Sequence, residues 1–130
     1  MVGSRMSVRG IAVLAVVGFA LTVVSAGMAK DGDVLVRGAC TKSSTAKLKL
    51  SRENGRVEVE FEVDQNRNGV TWQIVLERNG TRVFRGARTT QPPSGSFEAR
   101  RVVSDTPAAD RFRARATSPS GEVCTARASF

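Results

Sequence analysis

Catalysis by a polypeptide needs nucleophiles, acid–base groups or metal ligands brought together, and this chain lacks several of them. Its 130 residues include no histidine, no tyrosine, two cysteines and one tryptophan. That inventory excludes a histidine-based catalytic triad, a histidine metal site and a four-cysteine zinc site. Three constellations remain. Asp64-Gln65-Asn66-Arg67-Asn68-Gly69 matches the opening of a calcium loop, in which side-chain oxygens alternate toward one ion before a glycine turn. The continuation fails, because Val75 stands where a bidentate glutamate belongs and Arg67 brings a cation into a loop with one carboxylate. Neither metal nor cofactor is expected, and Asp64, Asn66 and Asn68, the residues that would ligate an ion, are read as part of a polar crossover loop. Ser44 and Lys47 have the spacing of a serine acyltransferase pair, but that chemistry needs a helical turn, and the segment alternates as a strand. Glu58, Glu60, Glu62 and Asp64 fall on one strand face, two of them opposite lysines, which predicts a charge-paired sheet surface rather than a glycosidase pair.

The cations are more suggestive. Lysine and arginine number 20 against 12 acids, for a net charge of +8. Arg111, Arg113, Arg115 and Arg127 alternate with Phe112, Ala114, Ala126 and Ala128, so a terminal hairpin would turn all four arginines to one face. Such a stripe suits an anionic envelope polymer, phospholipid headgroups or nucleic acid. Single-strand nucleic-acid binding also wants exposed aromatics among the charges, and Phe84 is the one candidate.

Arg5 and Arg9 precede an uncharged run from Ile11 to Val24, followed by small residues, which is the anatomy of a signal peptide. Cleavage is expected after Ala29, with Ala26 as the alternative, leaving a single domain over 30–130. A retained anchor is the competing reading, since the uncharged span from Gly10 to Ala29 just reaches bilayer thickness; a cleaved leader leaves no transmembrane span. Export places Cys40 and Cys124 in an oxidising compartment, where two cysteines predict one intramolecular disulfide. Closing so long a loop contributes roughly 4 kcal/mol in the chain-entropy model.

These residues must be positioned by strands. Period-2 alternation runs from Val34 to Phe130 with no sustained helical spacing, so the chain is expected to be all-β. Candidate strands are 34–40, 45–51, 56–64, 70–78, 81–89, 96–103, 110–117 and 122–130. A two-residue Asn54-Gly55 turn sets Leu50 opposite Val59, Leu48 opposite Phe61 and Ala46 opposite Val63, with Lys49 and Lys47 meeting Glu60 and Glu62. Asn79-Gly80 similarly pairs Glu77 with Arg82, Leu76 with Val83 and Val75 with Phe84, but it leaves Ile74 against Arg85. That misfit predicts a bulge or an edge position. Through Pro119-Ser120-Gly121, Ala116 should meet Cys124, Ala114 should meet Ala126 and Phe112 should meet Ala128.

Trp72 with Ile74, Leu76 and the Asn79-Gly80 turn, together with Asp110-Arg111-Phe112-Arg113-Ala114-Arg115-Ala116, resembles an immunoglobulin-like antiparallel β-sandwich of seven to eight strands. The resemblance departs from antibody domains in lacking the inter-sheet cysteine pair and the tyrosine-corner hydroxyl. Here the disulfide would tie the first strand to the last. The whole string, from leader through Gly38-Ala39-Cys40 to Ser120-Gly121-Glu122-Val123-Cys124, also resembles uncharacterised small secreted proteins of high-GC Gram-positive bacteria. That family carries no activity to transfer. The resulting expectation is a secreted or envelope-associated, non-enzymatic binding or structural module whose partner is an anionic envelope polymer or another secreted or surface protein. The alternatives are a calcium-dependent protein or enzyme using Asp64 to Gly69, and a secreted inhibitor presenting the loop from Thr89 to Ser96.

Overall fold

The computed structural model describes Gly3 and residues 32–130. Apart from Gly3, the expected export segment lies outside the described residues. The described residues form nine strands: β1 (Val34–Arg37), β2 (Ala39–Cys40), β3 (Thr45–Glu53), β4 (Arg56–Asp64), β5 (Thr71–Arg78), β6 (Thr81–Thr89), β7 (Ser96–Ser104), β8 (Arg111–Thr117) and β9 (Val123–Ser129). They make a four-stranded sheet in the order β1-β3-β4-β7 and a five-stranded sheet in the order β2-β9-β8-β5-β6. All pairings are antiparallel, and the two sheets pack as a β-sandwich. No helix among the described residues is long and apolar enough to cross a membrane.

The alternation that defines the strands also defines the core. Leu48, Leu50, Val57, Val59, Phe61 and Val63 line the inner face of one sheet, facing Trp72, Ile74, Leu76, Phe112, Ala114, Ala116 and Ala126 on the other. Trp72 is fully buried and its ring lies 5.9 Å from that of Phe97 on β7, so one aromatic pair joins the two sheets. The indole N–H donates to Gln65 Oε1 at 3.1 Å, which satisfies the one polar group that burial would otherwise leave unmade. The inward residues of β8 and β9 include Ala114, Ala116 and Ala126, small side chains that leave room for the leucine, valine and phenylalanine side chains of β3 and β4 in the same core.

The first expected strand is two strands. Gly38 sits between β1, which belongs to one sheet, and β2, which belongs to the other. A Cβ there would lie 2.8 Å from the Thr125 carbonyl oxygen and 3.1 Å from the Ala46 Cβ. Only glycine lets the chain pass this close while changing sheets. Just beyond it, Cys40 pairs directly with Cys124 and the two form the expected disulfide, so the bond ties neighbouring strands of one sheet, the first segment to the last.

The Asn54-Gly55 hairpin has every pairing expected for it, Lys49 with Glu60 and Lys47 with Glu62 included. The Pro119–Gly121 hairpin does as well. The Asn79-Gly80 hairpin holds its register only through Glu77 and Arg82, after which a bulge shifts it so that Leu76 faces Phe84, Val75 faces Arg85 and Ile74 faces Gly86. The expected Leu76–Val83 and Val75–Phe84 pairs are therefore corrected. The shift removes the arginine from opposite buried Ile74 and puts a glycine there instead. The bulged strand gains an extra residue at Val83, which packs against the core.

Candidate polyanion-binding face

Because Trp72, Ile74 and Leu76 point inward, Gln73, Val75 and Glu77 point outward, and the sheet register decides what stands beside them. On one side Glu77 pairs with Arg82 and Val75 with Arg85. On the other, Glu77 pairs with Arg113 and Val75 with Arg115. Beyond β8, Arg113 is directly opposite Arg127, and Arg111 is opposite Ser129. The outer face of the five-stranded sheet thus carries Arg82, Arg85, Arg111, Arg113, Arg115 and Arg127 around a single acid, Glu77. The four arginines expected from alternation do share one face. Arg82 and Arg85 join them only because β6 and β8 flank the same strand, a fact of sheet order that alternation within one hairpin cannot supply. The misfit of Ile74 with Arg85 was the available signal, since correcting it turns Arg85 outward.

Arg113 is the centre of this array. Its guanidinium lies 3.7 Å from Glu77 Oε2, and 40% of its side chain is exposed. Its Nε is nevertheless buried and has no hydrogen-bond partner, unusual for a buried donor. Like charges directly opposite across a ladder destabilise a sheet, and the Arg113–Arg127 pair is such a case. Arg111, Arg113 and Arg127 border a depression of 610 Å3. Among the described residues no ion pair is formed by Arg82, Arg85, Arg111, Arg115 or Arg127. The field of these cations is uncompensated, so it acts on whatever approaches from solvent.

Phe84 does not belong to this face. The bulge places it opposite inward-pointing Leu76, half-buried against the core, with Arg88 stacked 5.1 Å over its ring. The expectation of Phe84 as a base-stacking platform is corrected, and without an aromatic the arginine face has no sequence-tolerant means of holding single-stranded nucleic acid bases.

The opposite sheet surface is charged but compensated. Lys47 and Lys49 each lie 3.5 Å from a carboxylate, those of Glu62 and Glu60. Glu58 accepts a hydrogen bond from Arg100, which, with neighbouring Glu53 and Glu60, holds its carboxyl down to about 2. Burial, the adjacent Glu58 and the charge of Glu98 push Glu60 the other way. The row is a charge-paired surface, as the hairpin register implied.

The remaining constellations serve the framework. Asp64 Oδ1 accepts the Asn66 N–H at 2.9 Å, closing a turn whose backbone reaches positive φ at Asn66 and Gly69. That loop is fastened to the Thr89–Ser96 loop: buried Thr90 donates its hydroxyl to the Arg67 carbonyl at 2.6 Å, and Gln65 N–H donates to the Gly95 carbonyl at 3.0 Å. Ser44 is buried and donates to Glu122 Oε1 at 2.6 Å, whereas Lys47 lies on the outer face beside Glu62, so the two never meet. Glu122 also accepts the backbone N–H groups of Lys42 and Ser44. It sits beside Cys40 and Cys124, but both sulfurs are spent on the disulfide and offer no thiolate to a metal. No family model matches this chain, and no curated protein is similar to it.

Proposed function

We propose that the protein is an exported, non-enzymatic binding module of the cell envelope, built on an immunoglobulin-like sandwich, which holds an anionic polymer against the outer face of its five-stranded sheet. The observation that carries this reading is the segregation of six arginines around one acid on a single sheet face, five of them without an ion pair among the described residues. Arginine used only for solubility would be interspersed with acids, as on the opposite sheet. Supporting the immunoglobulin likeness are the β9-β8-β5-β6 order and the buried tryptophan on the interior strand β5, both features of that architecture. The β3–β4 hairpin, followed by the crossing to β5, fits it as well; the departure is β1, an added strand paired to β3 at the edge of the four-stranded sheet. A disulfide is compatible with an oxidising, extracellular location.

The test is retention of the mature domain on teichoic-acid or anionic-lipid supports as salt is raised. Each neutralised charge releases counterions, so retention is expected to fall steeply between low and physiological salt. Arg113→Gln with Arg115→Gln should lower the eluting salt concentration while leaving the melting temperature nearly unchanged, because Arg115 is exposed and the pair that Arg113 makes with Glu77 is a partly solvated one, of a kind that contributes little to stability. The same loss of charge at Arg37 and Arg56, on the other sheet, should have a much smaller effect. Failure of the wild type to bind at low salt, or binding indifferent to salt, overturns the proposal.

A further inference from the structure

The arginines are not evenly spread. Three strands, β6, β5 and β8, lie side by side, and the outer strands are both arginine-bearing while the middle one carries Val75, flanked by Arg85 on one side and Arg115 on the other. The middle strand is a valley between two cationic walls separated by two strand spacings, about 10 Å between backbones. A small cavity of 120 Å3 opens there, lined by Val75, Glu77, Arg113 and Arg115. One row further along the strands the same arrangement recurs, with Arg82 and Arg113 flanking Glu77. In that row the anion position is already filled, since the carboxylate of Glu77 reaches Arg113. In the Val75 row the two walls face each other with no anion between them.

We infer that the Arg85–Val75–Arg115 row is a cradle for the phosphodiester group of a linear polyol-phosphate chain lying along β5, an inference that rests on the polyanion reading above and narrows it to phosphate. The geometry favours this chemistry over a carboxylate polymer. A carboxylate turns both oxygens the same way and is satisfied by one guanidinium fork. A phosphodiester directs its two non-bridging oxygens to opposite sides of the chain, so arginines from opposite walls each take one while the polymer runs between them. The strand rise then sets the repeat. Rows two residues apart are separated by about 6.8 Å, comparable to the extended distance between phosphorus atoms joined by a three-carbon polyol. Val75 is short and uncharged, so it keeps the floor between the two walls low enough for a phosphodiester to settle there. Glu77 is the internal stand-in for the next phosphate: when the polymer's following phosphate competes for Arg82 and Arg113, this carboxylate opposes it. The buried, unpartnered Nε of Arg113 marks the same row as incompletely satisfied by Glu77 alone.

Isothermal titration of the full domain with poly(glycerol phosphate) and with polygalacturonate, at equal charge concentration and low salt, tests the assignment. Poly(glycerol phosphate) should bind more tightly. Arg85→Gln with Arg115→Gln should lose about tenfold affinity for it, whereas Arg37→Gln with Arg56→Gln, an equal change of net charge on the other sheet, should lose little. Glu77→Gln should bind more tightly than the wild type, and Glu98→Gln, an acid removed from the opposite face, should not. Melting temperatures identify any variant that fails to fold, and the gain expected for Glu77→Gln is immune to that failure. Equal affinity for the two polymers, with the two arginine pairs indistinguishable, overturns the phosphate cradle and leaves the polyanion reading standing. Binding to phosphatidylglycerol vesicles without binding to poly(glycerol phosphate) also overturns it, in favour of a membrane surface. Binding to none of these overturns both.

Discussion

Asp110 shows how a single side chain can fix a corner of the sandwich and leave a measurable titration behind. Its carboxylate is buried and accepts hydrogen bonds from Arg78, Asn79 and Thr106, while Asn79 in turn accepts the Arg111 N–H. The Arg78 guanidinium above all, with Thr106 and Asn79, holds the carboxyl down to about 2 from its ordinary 3.8. A depressed acid binds its proton more weakly in the folded state, so it contributes stability above the unfolded value that is lost as pH falls toward the folded one. The melting temperature should therefore drop between pH ~4 and pH ~2, and Glu58, lowered to about 2 from 4.5 by Arg100, should steepen the same fall. Asp110→Asn is expected to melt lower at neutral pH and to flatten this dependence; a variant with the wild-type slope would show that Asp110 is not a source of it. Trp72 is the apolar counterpart. Replacing it with alanine should cost about 3–5 kcal/mol in chemical denaturation, and its native emission should be blue-shifted, since the ring is fully buried.

At the scale of strands, the hairpins are the part of the fold most legible in the sequence. The Asn54-Gly55 turn and strict alternation leave a single register that keeps lysines out of the core, and that register is the one formed. The bulge was legible as a misfit but not as a solution, because whether Val83 or Phe84 turns inward depends on the neighbouring sheet. Gly38 gave no signal at all. Its role arises from Thr125, Ala46 and Ala126, distant in sequence, crowding the point where the chain changes sheets. The candidate site divides the same way: arginines alternating within the β8–β9 hairpin could be read directly, whereas Arg82 and Arg85 needed the strand order. Two further arginines have a different duty. Arg88 on β6 and Arg101 on β7 hold register positions on the core side of their strands, opposite Trp72 and Val59, on strands that each end a sheet, Arg88 half-buried there and Arg101 exposed at the open edge. An inward charge on an edge strand discourages another chain from pairing there. Arg88→Val with Arg101→Val should increase self-association in sedimentation at equal concentration without abolishing the folded transition, and unchanged association would assign these arginines to packing alone, as the stacking of Arg88 on Phe84 would then imply.

Over the whole molecule the two broad surfaces are electrically unlike: arginine dominates one, while the other balances lysine and arginine against seven acids, Asp33, Glu53, Glu58, Glu60, Glu62, Asp64 and Glu98. A domain of net positive charge that concentrates its excess on one side approaches an anionic surface in one orientation, and the screening length of physiological salt, about 8 Å, is short enough that only the near side contributes. The disulfide has its own consequence at this scale, and it concerns mechanical load. Cys40 and Cys124 stand 84 residues apart and close to both ends of the described chain. A pull applied through those ends crosses from one to the other by the covalent bridge, so the intervening residues carry none of it. Stretching can straighten only the segments outside the ring, while a contour of about 280 Å stays folded and out of reach of the force. Reduction would expose that hidden length. In a pulling experiment the oxidised domain should behave as a short, inextensible link and the reduced one as a breakable spring.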